Sequence, residues 1–439
     1  MDLVIFGQAV KHLAAGQAPV VDLKASGFLA FGDHFDPVIA LAAPLYALWP
    51  DIRVLLCLQA LLIAAAVGVI TDAAMRALGG RRGLAIGAAF AASIGVQHAL
   101  AFDFHEVAFA APLLALALRA YLHDRWRTCA VLAAGLLLVK EDCAFLVLGI
   151  AMALALRGRR RLAAALGASA VLGLATILTI VIPALSYWHR YTYAPAVGDP
   201  LALVAAAARN LSASLVTDGT AIRTLAMLLA GVGIIAVRSP LIWVTLLPFA
   251  VRAANANPAY WGLDFHYNLL MEVSLFVALV DALRRLPRLR SLAWAMITVM
   301  TVMVLAHGPL AIGARDPDQC PRCPAARTIL DLVPDGTTVA ADTYLLPHLV
   351  DRTTAYLLTP DFIDSADNPL TPDWVVFDER TSTYGGSAWT AVLRRALASV
   401  YEDIASNDGY LLLHRRPTAA GGAAASAGTR ERIGKQHGL

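Results

Sequence analysis

Charged residues are scarce in this chain. They make up 15% of its 439 residues, against 59% hydrophobic ones, and the mean hydropathy is +0.64. A soluble domain is nearer a quarter charged. The shortage excludes an ordinary soluble protein and points to a polytopic membrane protein. The net charge is only +3, and the positive residues sit in short clusters between apolar runs, not in one stripe. That gives no footing for nucleic-acid binding. Cysteine is scarce too, with five residues. Cys57, Cys129 and Cys143 lie in apolar runs as small buried side chains. Cys320 and Cys323 form a lone CxxC without the second pair a zinc ribbon needs; it can close a local disulfide if its loop is extracytoplasmic. Also lacking are an N-terminal signal, since Met1–Phe6 has no basic start and no long apolar core, and any internal repeat of transporter type.

What the chain does have is long apolar runs. They cover residues 52–78, 83–101, 106–122, 128–156, 162–185, 220–237, 239–251, 265–283 and 291–308. The run 128–156 is too long for one crossing and is interrupted by Lys140-Glu141-Asp142, so it reads as two short helices meeting there. A span needs roughly 17–25 residues, which predicts about ten crossings.

Arginine then assigns the faces. Basic clusters follow the first, third, fifth, seventh and ninth crossings, at Arg81-Arg82, Arg125–Arg127, Arg157–Arg161, Arg238 and Arg284–Arg290. All can be cytoplasmic if 128–156 crosses twice. The opposite face then carries residues 1–50, the string Phe102-Asp103-Phe104-His105-Glu106, the Lys140 triplet, the 186–219 loop, the string Leu263-Asp264-Phe265-His266-Tyr267, and everything after 308. Ionisable groups at membrane depth are costly and favour function. Their meeting on one face predicts an extracytoplasmic polar pocket.

Residues 309–416 change character. Strand-like 338–340, helix-like 343–350, a buried strand at 373–378, a helix near 387–399 and strands near 400–404 and 409–414 predict a small α/β domain. The tail 417–439, rich in Ala, Gly and charge, is expected to be disordered. The expected organisation is therefore a transmembrane domain over 1–308, an extracytoplasmic α/β domain over 309–416 and the tail.

Several motifs resemble one family in order: Asp2-Leu3-x-Ile5-Phe6-x-Gln8, Gly32-Asp33-His34-Phe35-x-Pro37, Phe102-Asp103-Phe104-His105 and Lys140-Glu141-Asp142. Together they look like the bacterial membrane-protein family DUF2079, from residue 1 to about 415. Members of that family generally begin with a transmembrane helix before the Asp-Leu motif, so the resemblance implies a further upstream helix and a misassigned start codon. The layout is similar to that of GT-C glycosyltransferases, which use polyprenyl-phosphate sugars. By that analogy, the acid after the first helix, here Asp2, acts in catalysis, and Lys140-Glu141 matches a Lys-Glu pair at an outer helix end.

Sugar transfer from a lipid phosphate needs a base for the acceptor hydroxyl, cationic or metal help for the departing phosphate, and a groove for the lipid. Asp2 is the first candidate base and Asp103 the second. Lys140 and Arg252 can hold phosphate. His34, His105 and His266, with Glu141, can orient groups or bind substrate. Asp103 and His105 are the candidate ligands if a divalent ion such as Mn²⁺ or Zn²⁺ takes part.

Each residue also has a plainer reading. Asp103 and His105 can cap the following helix. Glu106 reads as a first-turn helix residue, Lys140–Asp142 as a self-neutralising cluster, His266 as an interhelical group and Arg252 as an interface anchor. Tyr187, Trp188, Tyr191 and Tyr193 read as interfacial belt residues. The competing functions are a transporter or permease, which calls for ionisable groups nearer mid-membrane, and a non-enzymatic envelope assembly protein using the α/β domain as its binding module.

Overall fold

The structure is a computed structural model. It describes residues 1–193, 200–315, 320–359, 371–381 and 386–417. The tail from residue 418, expected above to be disordered, lies outside the described residues.

Most of the chain is helical. Among the described residues three helices are long and apolar enough to cross a membrane: Arg53–Leu78, Arg160–Leu185 and Pro287–Gly313. The number rises to five if each of two bent pairs counts as one span. The other apolar runs form shorter helices, such as Val107–Leu122 and Pro240–Ala253.

Particular residues set these breaks. Gly79, at φ 92°, ends the helix Arg53–Leu78, a backbone conformation glycine adopts freely. The bend of 43° between Gly80–Ala91 and Ile94–Ala101 is held open by a carboxylate. Glu272 accepts from the Ser93 hydroxyl and, at 2.9 Å, from the Gly95 N–H, so it satisfies donors that the second helix start leaves free. The run 128–156 does divide at the Lys-Glu-Asp triplet. Helix Trp126–Gly135 tightens to a 3-10 turn, Lys140 is extended, Glu141–Cys143 form a second 3-10 turn, and helix Ala144–Leu156 follows. The 186–219 stretch is not all loop. It contains helix Pro200–Ser212, and Val204–Thr217 bends by 66° into Thr220–Gly231.

Helices Val107–Leu122 and Leu269–Arg285 are buried on nearly every side, as helices at the centre of a bundle must be. They carry the ends from which the site is built.

The C-terminal part is a five-stranded sheet: β1 Thr338–Ala341, β2 Thr354–Leu357, β3 Trp374–Asp378, β4 Tyr401–Asn407 and β5 Tyr410–Arg415. Its order is β2-β1-β3-β5-β4, with β1 parallel to β2 and β3, and β5 antiparallel to β3 and β4. Strand alternation splits the side chains between two faces. Val339, Ala341, Trp374, Val376 and Leu412 join the main core, while Ala340, Val375, Phe377, Leu411 and Leu413 pack beneath Leu393 and Leu397 of helix Gly386–Leu397. Two details differ from the sequence reading. Residues 343–350 form no α-helix, only the turn Leu346–His348, because Pro347 lacks the donor a longer helix would use. Residues 354–357 instead form the edge strand β2.

Strand β2 and the segment before it dock on helix Asp2–Ala14. Gln8 donates to the Ala355 carbonyl at 2.7 Å, and Lys11 to the Val350 and Thr353 carbonyls at 2.9 and 3.1 Å. Asp351 accepts from the Tyr46 hydroxyl at 2.7 Å and the Ile52 N–H at 2.9 Å.

Candidate active site

The site begins with the triplet. Lys140 is extended, and Glu141 and Asp142 open the 3-10 turn that follows it; such a turn advances about three residues per turn, so the three side chains point in different directions. Lys140, Glu141 and Asp142 accordingly do three different things.

Lys140 turns to Glu106, with Nζ 2.7 Å from Oε1. Glu106 is fully buried at the start of helix Val107–Leu122, and His105 Nδ1 lies 2.5 Å from its other oxygen. The group is held by charge more than by aligned hydrogen bonds. Glu106 is thus more than a first-turn residue: its carboxylate neutralises a buried lysine.

Glu141 turns to the N-terminal segment. Its carboxylate lies 2.6 Å from His34 Nδ1, and accepts from the Phe35 N–H at 3.0 Å and the Tyr191 hydroxyl at 3.1 Å. Gly32 lets this segment come so close. A Cβ there would collide with the Leu185 carbonyl and the Ser186 nitrogen. Asp33 beside it pairs with Lys24 and accepts from the Tyr193 hydroxyl at 3.2 Å. His34 stacks on Tyr193, with ring centroids 4.4 Å apart. Burial, then the Glu141 charge, pushes the Tyr191 phenol up, and burial with Asp33 does the same to Tyr193. Both phenols therefore stay protonated donors. Both line the cavity described below; Tyr191 is half-buried there, whereas Tyr193 remains 44% exposed. Asp36 is buried nearby, and burial, reinforced by the Glu106 and Glu141 charges, holds its carboxyl well above the usual carboxylate range.

Asp142 turns to a cavity. The cavity has a volume of about 470 Å³. Its polar wall includes His34, Lys140, Glu141, Asp142, Tyr191 and His266, and its apolar wall includes Phe145, Leu146, Leu174, Leu178, Val251 and Leu270. Arg252 also lines it, but the guanidinium is committed to protein acceptors. It donates to the Tyr260 carbonyl at 2.6 and 2.9 Å, to the Tyr267 carbonyl and Asn268 Oδ1 at 3.0 Å each, and to the Gly262 carbonyl at 3.2 Å. These bonds pin the loop in which Phe265 adopts φ 64°, a strained conformation for a bulky residue.

Of the residues singled out from sequence, His34, Lys140, Glu141, Arg252 and His266 share this cavity. His105 sits behind His266, ring on ring. Asp103 does not line the cavity. It lies 2.5 Å from the Met1 amino group and accepts from the Leu3 N–H at 3.3 Å, the position of an anion at a helix start. Asp2 does not line it either, though its charge reaches Tyr267, which does. Among the described residues no three His, Cys, Asp or Glu side chains gather as a metal site. Asp103 and His105 are turned to different partners, and this donor set does not fit a metal ion. Asp142, Tyr260 and Tyr267 also line the cavity and were not among the site residues expected from sequence. The break of an apolar run at a charged triplet is the signal that marks Asp142; nothing local marks the tyrosines.

A family model described as a predicted membrane protein, DUF2079, matches residues 1–412. No curated protein matches the chain in sequence. Among solved structures, the chain is similar to the crystal structure of ArnT from Cupriavidus metallidurans bound to undecaprenyl phosphate. The match has a TM-score of 0.50 at 13% identity and covers 94% of this chain and 93% of that one. At this identity the likeness concerns the fold.

Proposed function

The chain belongs to the DUF2079 family of predicted membrane proteins, and we propose that it moves a sugar from a polyprenyl-phosphate donor to an envelope acceptor at the extracytoplasmic face. The observation that carries this reading is the two-sided cavity. Its size suits one small-molecule headgroup. Phe145, Leu174 and Leu178 offer an apolar wall for an isoprenoid chain, and His34 and Lys140 offer polar groups on the opposite wall. A lipid-linked phosphate has this same division between chain and head. ArnT, which shares the fold, was solved with undecaprenyl phosphate.

In this reading Lys140 and His266 face the phosphate, His34 and Glu141 face the sugar, and Arg252 keeps the 260–268 loop in shape. His105 backs His266. Asp2 and Asp103 stand outside the cavity lining, where the acceptor would arrive. The reading takes residues 1–308 as a multi-pass domain of about ten crossings, with 309–416 as an outer domain that holds the acceptor. The disulfide Cys320–Cys323 favours an oxidising, extracytoplasmic side for that domain, as do the arginine clusters on the opposite loops.

The test is reconstitution of the protein in lipid vesicles with a radiolabelled polyprenyl-phosphate sugar. Transfer of label to a hydroxyl acceptor, with release of polyprenyl phosphate, is expected. A folded protein that neither binds the lipid phosphate nor turns it over would overturn the proposal.

A further inference from the structure

We infer that Asp142 is the general base of the transfer reaction, an inference that rests on the function proposed above. The argument is one of availability. A base must offer a free carboxylate lone pair within reach of the acceptor hydroxyl. Glu141 has both oxygens engaged, by His34, Tyr191 and the Phe35 N–H. Glu106 lies between Lys140 and His105. Asp33 is held by Lys24 and Tyr193, and Asp103 by the start of helix Asp2–Ala14. Asp142 differs from all of these. It lines the cavity, its side chain is exposed there, and it makes no hydrogen bond or ion pair with any described side chain.

Its place in the turn explains the difference. Glu141 and Lys140 are drawn off in other directions, and Asp142 is left pointing into the space between the polar and apolar walls. That is the level at which a lipid-linked phosphate would place its sugar. In the step itself, the acceptor O–H proton passes to an Asp142 carboxylate oxygen. The acceptor oxygen forms a bond to the anomeric carbon. The bond from that carbon to the phosphate oxygen breaks, and polyprenyl phosphate leaves with the electron pair. Lys140, two residues before it, stabilises the charge that develops on the phosphate.

The experiment compares wild type, Asp142→Asn and Asp142→Glu in vesicles, measuring kcat and, separately, binding of unlabelled polyprenyl phosphate. Asp142→Asn is expected to lower kcat by about 10²–10⁴-fold, the usual size of a general-base contribution, with lipid binding unchanged. Asp142→Glu is expected to recover part of the rate, because it restores a carboxylate. Wild-type kcat in Asp142→Asn would sink the assignment, as would loss of lipid binding in step with the rate, which marks a structural role. Failure of wild type itself to bind lipid or transfer sugar is a different result, and overturns the underlying reading instead.

Discussion

His105 and His266 stack ring on ring, with centroids 3.6 Å apart. They are the histidines of the two Asp-Phe-His strings, so segments that look alike in sequence meet at their third residue. Phe102 and Phe265 meet as well, at 5.0 Å. The likeness stops there. Asp103 engages the first helix, whereas the second string is held by Arg252 through its backbone. Stacked pairs contribute roughly 0.5–1.5 kcal/mol beyond their burial. His266→Ala should lower stability by about that much more than His266→Phe, read by thermal unfolding in detergent. Equal losses for the two variants would show that stacking is not what His266 supplies.

The Lys140–Glu106 pair allows a sharper test. Both side chains are buried, and removing one leaves the other charge poorly compensated. Lys140→Met should destabilise by about 3–5 kcal/mol, while Lys140→Met combined with Glu106→Gln should recover most of the loss. A double-mutant cycle measures the coupling. Strictly additive costs would mean the two groups do not depend on each other.

Arg252 is expected to act on backbone order. Its guanidinium binds three carbonyls of the 260–268 loop. Loss of these bonds leaves Phe265 free to relax from its left-handed conformation, which costs about 1–3 kcal/mol to hold. Arg252→Met should therefore raise amide hydrogen exchange selectively over 260–268. Unchanged exchange there would assign the order of the loop to packing alone.

The α/β part should carry its own pH dependence. Asp342, at the end of β1, is buried, and burial pushes its carboxyl up to about 6. In the unfolded chain an aspartate ionises near about 3.9. Between these values the folded state holds the proton more tightly, so unfolding releases it and stability falls as pH rises. The contribution is present below about pH 4 and is lost through about pH 6, amounting to at most about 3 kcal/mol. Asp342→Asn should flatten this slope and stabilise the protein near neutrality. A variant with the wild-type slope would exclude Asp342 as its source.

Hydropathy and arginine placement are properties of the chain summed locally, and they survive folding. For that reason the sequence by itself determined the membrane character, the helices Arg53–Leu78 and Arg160–Leu185, the break at Lys140–Asp142, and the buried strand β3. It also brought His34, Lys140, Glu141, Arg252 and His266 under one suspicion. Only the tertiary structure decided what each of them touches. Adjacent residues of a tight turn point in different directions, and their partners lie far off in the chain, as His34 does from Glu141 and Glu106 from Lys140. Nothing local separates Glu141, whose oxygens are engaged, from Asp142, whose carboxylate is open to the cavity. Nor does it separate a tyrosine at the membrane surface from Tyr191, drawn inward by Glu141. Hydrophobic pattern decides which segments are buried. Direction and pairing are decided by packing, and on these the candidate chemistry depends.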